Sequence, residues 1–163
     1  MARRAAARIL MLSSLAGCQA ATPTESPQTV AEAVVGAFDT GDVERFLAVL
    51  PSEQQLGDAF DCGRTDTLRA ALRRRLDDIR TEFDSRKKAN FRMRLLEFDE
   101  PGSETLELVP GDIYQSCSAR VPLTIHRSRV SISRKRGGRN DDSHDTWAFL
   151  RFAPDGPWYF GKF

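Results

Sequence analysis

The chain contains little of the chemistry on which catalytic and metal sites usually depend. Its 163 residues include two histidines, two tyrosines and three cysteines, and no cysteine pair has the C-x-x-C spacing of a redox motif. There is no G-x-S-x-G motif, no phosphate-binding glycine loop and no histidine-rich metal motif. No apolar run approaches the roughly 20 residues that a membrane-spanning helix needs. These absences argue against the common hydrolase, nucleotide-binding and integral membrane classes.

The first 17 residues have the features of an export signal. Three arginines and no acid accompany a short apolar run, Ile9–Ala16, which ends in Leu15-Ala16-Gly17-Cys18. These last four residues resemble the lipobox of bacterial lipoproteins. The resemblance implies cleavage before Cys18 and attachment of a lipid to its thiol. The alternative is an ordinary signal peptide that is cut after Ala20.

The residues after Cys18 predict where the protein is held. In lipoproteins of double-membraned bacteria, a residue other than aspartate at the next position usually implies the outer membrane. Gln19 occupies that position, so the resemblance implies the periplasmic face of the outer membrane. Residues 18–28 contain two prolines and show no apolar periodicity. They are predicted to form a flexible tether with a reach of roughly 35 Å.

The charge of the mature chain is close to balanced. Of the 24 basic residues, three lie in 1–17, so 21 remain against 23 acids, a net charge of −2. A nearly neutral protein has no general attraction to nucleic acid, and none is expected as a partner. The partners expected are the membrane, through the lipid on Cys18, and another component of the cell envelope.

Cys62 and Cys117 are the cysteines that remain in addition to the anchor. In an oxidising compartment, two thiols in a small domain most simply form a structural disulfide. Two buried free thiols and a redox pair are the alternatives.

Residues 29–163 are predicted to form one α+β domain in which helices precede an antiparallel sheet. Capping residues and helical spacing predict helices that start at Thr29, Asp42 and Ser52, and a long helix over Asp66–Lys88. Opposite charges four residues apart on the long helix indicate a solvated face with three ion pairs, Arg73–Asp77, Arg74–Asp78 and Arg80–Asp84.

After residue 90 the apolar period becomes two, which predicts strands. Turns are expected at Pro101-Gly102, at Pro110-Gly111 and over residues 154–157. A long strand is expected to carry Cys117, Ala119, Val121, Leu123 and Ile125 on one face, which turns His126 toward solvent. The alternation shifts at Arg127–Ser128 and predicts a bulge there, and Arg134–Asp145 are expected to form a polar loop.

This order of elements is similar to the nuclear-transport-factor-2-like cone. The likeness includes the Gly41-Asp42 break between two early helices and the final hairpin W-A-F-L-R-F-A-P-D-G-P-W-Y-F-G-K-F. It implies helices packed on a curved antiparallel sheet with one open mouth, but no particular reaction, because members range from isomerases to scaffolds. The isomerase members use an acid and a tyrosine inside the cone. Here the tyrosines are Tyr114 and Tyr159, and neither lies in an early helix.

Two neighbouring segments are the densest candidates for ligand binding. Asn140–Asp145 concentrate carboxylate and imidazole groups but lack the glycine and distal glutamate of a calcium loop. Arg134–Arg139 could hold the phosphate groups of lipid headgroups or lipopolysaccharide, without the interleaved aromatics typical of nucleic-acid sites. A solvated hairpin loop is the favoured interpretation of both segments.

The expected function is a non-catalytic, membrane-tethered domain that binds or organises another envelope component, with no catalytic residue, metal or cofactor. The alternative is a small-molecule binder or an isomerase- or dehydratase-like enzyme that uses the pocket of the cone. A deep cavity with convergent polar groups would favour the alternative, and a cone filled by side chains would favour the first function. The aromatic residues expected to fill the core are Trp147, Phe149, Phe152, Trp158 and Phe160.

Overall fold

A computed structural model describes residues 25–162, apart from the side chain of Pro101. The export signal, Cys18, Gln19 and Phe163 lie outside the described residues. Within them the α-helices are α1 Pro27–Thr40, α2 Val43–Leu47, α3 Glu53–Ala59 and α4 Thr67–Lys88. The strands are β1 Phe60–Asp61, β2 Arg92–Leu108, β3 Ile113–Tyr114, β4 Cys117–Ala119, β5 Leu123–Arg136, β6 Arg139–Arg151 and β7 Trp158–Phe160. Two antiparallel sheets, β2-β5-β6-β7 and β1-β4-β3, follow or interleave with the helices, which confirms the α+β class.

Helix α1 begins one turn earlier than predicted. Ser26 is its N-cap, and the Ser26 hydroxyl accepts a hydrogen bond from the backbone N–H of Thr29 at 3.2 Å. Thr29 is therefore the third helical residue, and the prediction that it caps the helix was wrong. Pro27 starts the helix because it has no N–H to leave unpaired and its φ already suits a helix. The last two residues of the predicted tether thus belong to α1.

The next two helices begin where predicted. Asp42 caps α2 by accepting from the backbone N–H of Arg45 at 3.0 Å, and Ser52 forms a reciprocal capping box with Gln55 at the start of α3. Helix α2 ends at Leu47.

Helix α4 buries an apolar stripe, with Leu68, Leu72, Ile79 and Phe83 in the core. Its predicted ion pairs are wrong. Arg73 donates to Glu53 of α3 at 2.7 Å, and Arg80 lies 3.2 Å from Glu44 of α2. Because these arginines pair with carboxylates of α3 and α2, this face of α4 contacts the neighbouring helices. It does not form only ion pairs within α4.

Strand β2 is continuous through the predicted turn at Pro101-Gly102, and that prediction was wrong. Asp99 pairs with Arg129 of β5, and Glu104 pairs with Arg127, so the extra residues form a bulge in β2. The Ser128 hydroxyl donates to the carbonyl of Asp99 at 2.7 Å and holds the bulge against β5. A second bulge places Leu96, which is 50% exposed, outside the ladder.

The bulge predicted within β5 at Arg127–Ser128 is therefore in the wrong strand. The β5–β6 ladder keeps one register from Thr124–Arg151 to Arg136–Arg139. Without an inserted residue, Ile125 and Val130 must lie on opposite faces of the sheet, yet both are fully buried. The apolar alternation shifts because β5 is buried on both faces near Ile125, where Thr124 and Ser128, on the face of Val130, are only 5% and 1% exposed.

The predicted long strand from Cys117 to Ile125 is also divided. Residues 120–122 separate β4 from β5, and the backbone N–H of Arg120 donates to the carbonyl of Ala59 at 2.8 Å. Strand β4 pairs instead with β1, and Cys62 directly follows β1 while Cys117 begins β4. Their Cα atoms are 4.1 Å apart and their Sγ atoms lie at bonding distance.

The predicted polar loop over Arg134–Asp145 is a tight hairpin. Strands β5 and β6 are joined by Gly137 and Gly138 alone, whose φ angles are 56° and 84°. Positive φ at both positions suits the two-residue turn that matches the twist of an antiparallel hairpin, and glycine adopts it without steric cost. The charged residues on either side are therefore paired in the sheet.

The core lies between the helices and one face of the four-stranded sheet. Phe149 of β6 is fully buried, and Phe160 of β7 packs edge-on against Phe46 of α2 with ring centroids 6.1 Å apart. The final hairpin is held by its backbone as well, since the N–H of Phe160 donates to the carbonyl of Val49 at 2.7 Å. Four of the five aromatics predicted for the core are buried, and Phe152 packs against its edge. No helix among residues 25–162 is long and apolar enough to cross a membrane.

Candidate functional site

Two basic segments that are far apart in sequence meet at one end of the domain. Residues 86–94 and 134–139 together hold nine basic residues and no acid. Strand β2 starts directly after α4, and its first residues pair with the end of β5, Arg92 with Lys135 and Met93 with Arg134. We call this end the basic pole. It comprises Arg86, Lys87, Lys88, Arg92, Arg94, Arg134, Lys135, Arg136 and Arg139.

A cleft opens at the basic pole between the last turns of α4 and the β5–β6 hairpin. Its volume is about 510 Å³. Four arginines and two acids among its lining residues leave a local charge of +2. The lining residues are Glu82, Ser85, Arg86, Ala89, Phe91, Arg134, Arg136, Arg139 and Asp141.

The strand alternation places three of these arginines on one side. Arg134 and Arg136 share the face of β5 that buries Ile132, and Arg139 lies opposite Arg136 across the hairpin. Farther along the sheet, this same face is covered by the helices. The cleft therefore continues the core face of the sheet beside the last turns of α4. Here arginines stand in the place of apolar residues.

Arg86 is held in place within the cleft. Its guanidinium donates to one carboxylate oxygen of Glu82 through Nε at 2.9 Å and through a terminal nitrogen at 2.5 Å. It also lies over the rings of Phe38 and Phe91, 4.6 and 4.4 Å from their centroids. Arg75 reaches the other oxygen of Glu82 at 2.5 Å. The negative charge of Glu82 is thus already offset by two arginines.

The other three arginines of the cleft have no such partner. Within the part of the chain that the structure describes, no acid lies within ion-pair distance of Arg134, Arg136 or Arg139. Asp141 is directly opposite Arg134 in the ladder but forms no ion pair with it. Three guanidinium groups therefore remain available to an external anion.

A second cleft, of about 730 Å³, lies on the other side of the basic pole, between α1 and the start of β2. Its basic residues Arg92, Arg94 and Lys135 face Glu32 and Asp39. Asp39 lies 3.9 Å from Arg92 and accepts from the backbone N–H of Met93 at 3.0 Å. Because these acids offset most of its charge, this cleft is a weaker anion site than the first.

The segment Asn140–Asp145 does not gather its carboxylates and imidazole in one place. As part of β6, its residues point alternately to the two faces of the sheet. His144 Nδ1 is 2.8 Å from the hydroxyl of Ser131, and Asp145 pairs with Lys162. Among the described residues, no group of three or more His, Cys, Asp or Glu side chains could hold a metal ion.

His126 is buried in part among aromatic rings, and the prediction that it points to solvent was wrong. Its ring centroid is 6.3 Å from those of Phe98 and Phe149 and 6.0 Å from that of Trp158. Its Nδ1 lies 3.0 Å from the Thr105 hydroxyl. Burial lowers the pKa of this imidazole below its ordinary value of 6.5. The error arises because this end of β5 is buried on both faces, and His126 lies on the face of Val130 and Ile132, which the helices cover.

Neither tyrosine stands free at a cavity. Tyr114 is buried against Phe60, and the Tyr159 hydroxyl accepts from the side chain of Gln55 at 2.7 Å.

A polar cluster lies at the end of the core face that is remote from the basic pole, and its members bond to one another. Thr124 donates to Glu107 at 2.9 Å and accepts from Arg151 at 3.3 Å. The middle of that face is filled by buried side chains, including Trp147, Phe149 and Phe160.

Sequence reasoning located only half of the basic pole. It singled out Arg134–Arg139 but treated them as a loop, and it treated the charges of the long helix as one solvated face. The signal that could have joined the two segments is Arg86-Lys87-Lys88 in the last turn of α4. That triplet alone is equally explained as compensation of the helix dipole.

Comparison with known proteins adds no relative: the chain matches no protein-family model, no curated protein and no solved structure.

Proposed function

We propose that this chain is a lipid-anchored, non-catalytic domain of the cell envelope that binds an anionic component through its basic pole. The observation that carries the binding role is the set of three arginines, Arg134, Arg136 and Arg139, that line a cleft without an ion-pair partner among residues 25–162. Unpaired guanidinium groups that share one concave surface favour anion binding.

The anchoring role rests on the lipobox-like Leu15-Ala16-Gly17-Cys18 and on Gln19, which favour the periplasmic face of the outer membrane. The direction of α1 fits such an anchor. Asp39, in the last turn of α1, lies 3.9 Å from Arg92 of the basic pole, while Ser26 lies at the other end, roughly 20 Å away at 1.5 Å per residue. A tether that enters at Ser26 therefore joins the domain at a distance from the basic pole and leaves the cleft accessible.

We further infer that the domain is a nuclear-transport-factor-2-like cone. The helices precede the sheet, they cover one face of it, and two bulges bend β2 along its length. Large side chains occupy the covered face, Phe149 and Ile132 among them. This filling favours recognition at the open end of the sheet over a reaction inside the cone.

In-cell photo-crosslinking of the full-length chain tests the proposal. A benzophenone amino acid at position 85, in the wall of the cleft that holds the three unpaired arginines, is compared with the same residue at position 74, on the exposed side of α4. We expect an adduct from position 85 that disappears in the triple variant Arg134→Gln, Arg136→Gln, Arg139→Gln, and no matching adduct from position 74. Equal adducts from both positions, or an adduct that the triple variant leaves unchanged, would contradict the proposed binding role.

A further inference from the structure

We infer that the cleft between α4 and the β5–β6 hairpin is a receptor for the phosphate group of a phosphate-bearing organic molecule. This inference rests on the proposed function and names the class of ligand for the same surface. A lipid headgroup and a soluble phosphorylated compound share this chemistry, and the experiment below separates them.

The charge of the cleft suits a dianion. Glu82 is already bonded by Arg75 and Arg86, so it does not compete for the three unpaired arginines. Asp141 then remains as the one lining acid that is not engaged by an arginine within the described residues. A phosphate monoester carries about −1.5 to −2 charges near neutral pH and offers three strong acceptor oxygens. Several arginine forks can bond those oxygens at once, whereas one carboxylate would leave part of the charge unmatched.

The chain keeps this arrangement although it is unfavourable for the sheet. Arg136 is directly opposite Arg139, and Arg92 is directly opposite Lys135. Like charges at directly opposed positions destabilise an antiparallel pair. Elsewhere along the same strand Arg129 is opposite Asp99. A bound dianion would relieve the repulsion at the hairpin, which gives the like-charge pairs a role in recognition.

The cleft is larger than phosphate alone requires. Its volume of about 510 Å³ lies within the range of roughly 300–1,000 Å³ typical of sites for small organic ligands. Phe91 and Ala89 form an apolar part of the wall, and the stem of each arginine adds to it. The expected ligand therefore carries an organic portion beside its phosphate.

The experiment uses the mature, lipid-anchored protein reconstituted in phosphatidylcholine nanodiscs. One arm titrates inorganic pyrophosphate, and the other replaces part of the phosphatidylcholine with phosphatidic acid. Hydrogen exchange of residues 134–141 and of the end of α4 reports occupancy of the cleft, and calorimetry gives the affinity for pyrophosphate. The triple variant Arg134→Gln, Arg136→Gln, Arg139→Gln is compared with a control of equal charge change, Arg64→Gln, Arg74→Gln, Arg129→Gln. The control arginines are exposed or partly exposed and lie outside the cleft.

We expect slower hydrogen exchange in at least one arm. In the cleft variant, the affinity for pyrophosphate should fall at least tenfold, or the protection from exchange should be lost. In the control variant, the affinity or the protection should change by less than twofold. Protection by phosphatidic acid alone assigns a lipid headgroup, and binding of pyrophosphate in the neutral nanodisc assigns a soluble ligand. No protection in either arm, or equal weakening by both triple variants, overturns the inference. If phosphate fails while the crosslink from position 85 persists, the proposed binding function stands with a different anion.

Discussion

Arg92 of β2 lies directly opposite Lys135 of β5, and this pairing joins the end of α4 to the tip of the β5–β6 hairpin. Residues more than 40 positions apart thereby form one basic surface. At the tip of the same hairpin Arg136 is opposite Arg139. Two like-charge pairs at one end of a sheet destabilise the fold, and Arg136 and Arg139 line the cleft that we propose as the anion site.

Replacing Arg139 with threonine should stabilise the protein and weaken anion binding together. Removal of the repulsion with Arg136 should raise the free energy of unfolding by a few tenths to about 1 kcal/mol at low ionic strength, and the gain should shrink in high salt because the charges are exposed. Denaturant titrations at two salt concentrations measure it. Arg129→Thr is the matched control: Arg129 is opposite Asp99, so the same substitution should give no gain. A destabilised Arg139→Thr variant would contradict the repulsion.

The cysteine pair Cys62 and Cys117 should be bonded in the mature protein. The bond closes a loop of 55 residues, for which the chain-entropy model gives about 4 kcal/mol of stabilisation. The double variant Cys62→Ser, Cys117→Ser should therefore unfold at markedly lower denaturant, and reductant should affect the wild type but not the variant. A thiol assay on denatured, non-reduced protein supplies the direct test, and two reactive thiols would refute the bond.

Stability should fall as the pH drops from 7.5 to 5.5, in part through His126. Burial lowers the pKa of this imidazole below 6.5, so the unfolded chain takes up a proton more readily than the folded protein, and acidification favours unfolding. His126→Phe should reduce this pH dependence. The lowered pKa values of Asp61 and Glu53, below 3.8 and 4.5, place their contributions outside this window. If melting temperatures of wild type and variant shift equally between the two pH values, His126 does not titrate in this way.

Trp158 should be a main support of the fold. It is only 7% exposed, and it packs against His126 and beneath the guanidinium of Arg151, whose central carbon is 4.7 Å from the ring centroid. Trp158→Ala should lower the free energy of unfolding by about 3–5 kcal/mol, as expected for a large core aromatic. Ile113→Ala serves as the control, because Ile113 is 69% exposed and should change stability by less than about 0.5 kcal/mol. Similar losses in the two variants would show that the final hairpin is not part of the core.

The end of α1 and the starts of α2 and α3 were readable from the sequence because they depend on local chemistry. Asp42 and Ser52 cap helices wherever the chain places them, and Gly41 supplies the left-handed conformation that ends α1, with a φ of 72°. The final hairpin was equally local, since its turn and its alternating aromatics are contiguous. Strand alternation also predicted most of β5. It was wrong for His126, whose face of the strand was expected to be exposed to solvent. Alternation shows which residues share a face and not which face the rest of the protein covers.

Only part of the candidate site could be predicted from the sequence, because the pairing of β2 with β5 brings its two halves together. Nothing local to Arg86 or Phe91 indicates that the β5–β6 hairpin lies across from them. The hairpin itself was hidden because Gly137 and Gly138 stand among polar residues, which suggested a loop. Only the pairing of Arg92 with Lys135 brings the segments together. Long-range pairing of this kind is the information that local pattern and propensity do not contain.

The proposed lipidation of Cys18 would determine which molecules the basic pole can meet, so the most direct measurement is the chemical state of the mature N-terminus. Mass spectrometry of the protein purified from membranes should find a peptide that begins at Cys18 and carries a diacylglycerol on the thiol. Cys18→Ala should leave the uncleaved precursor with no lipid. An unmodified N-terminus at Gln19 or later in the wild-type protein would contradict the anchored envelope domain proposed here.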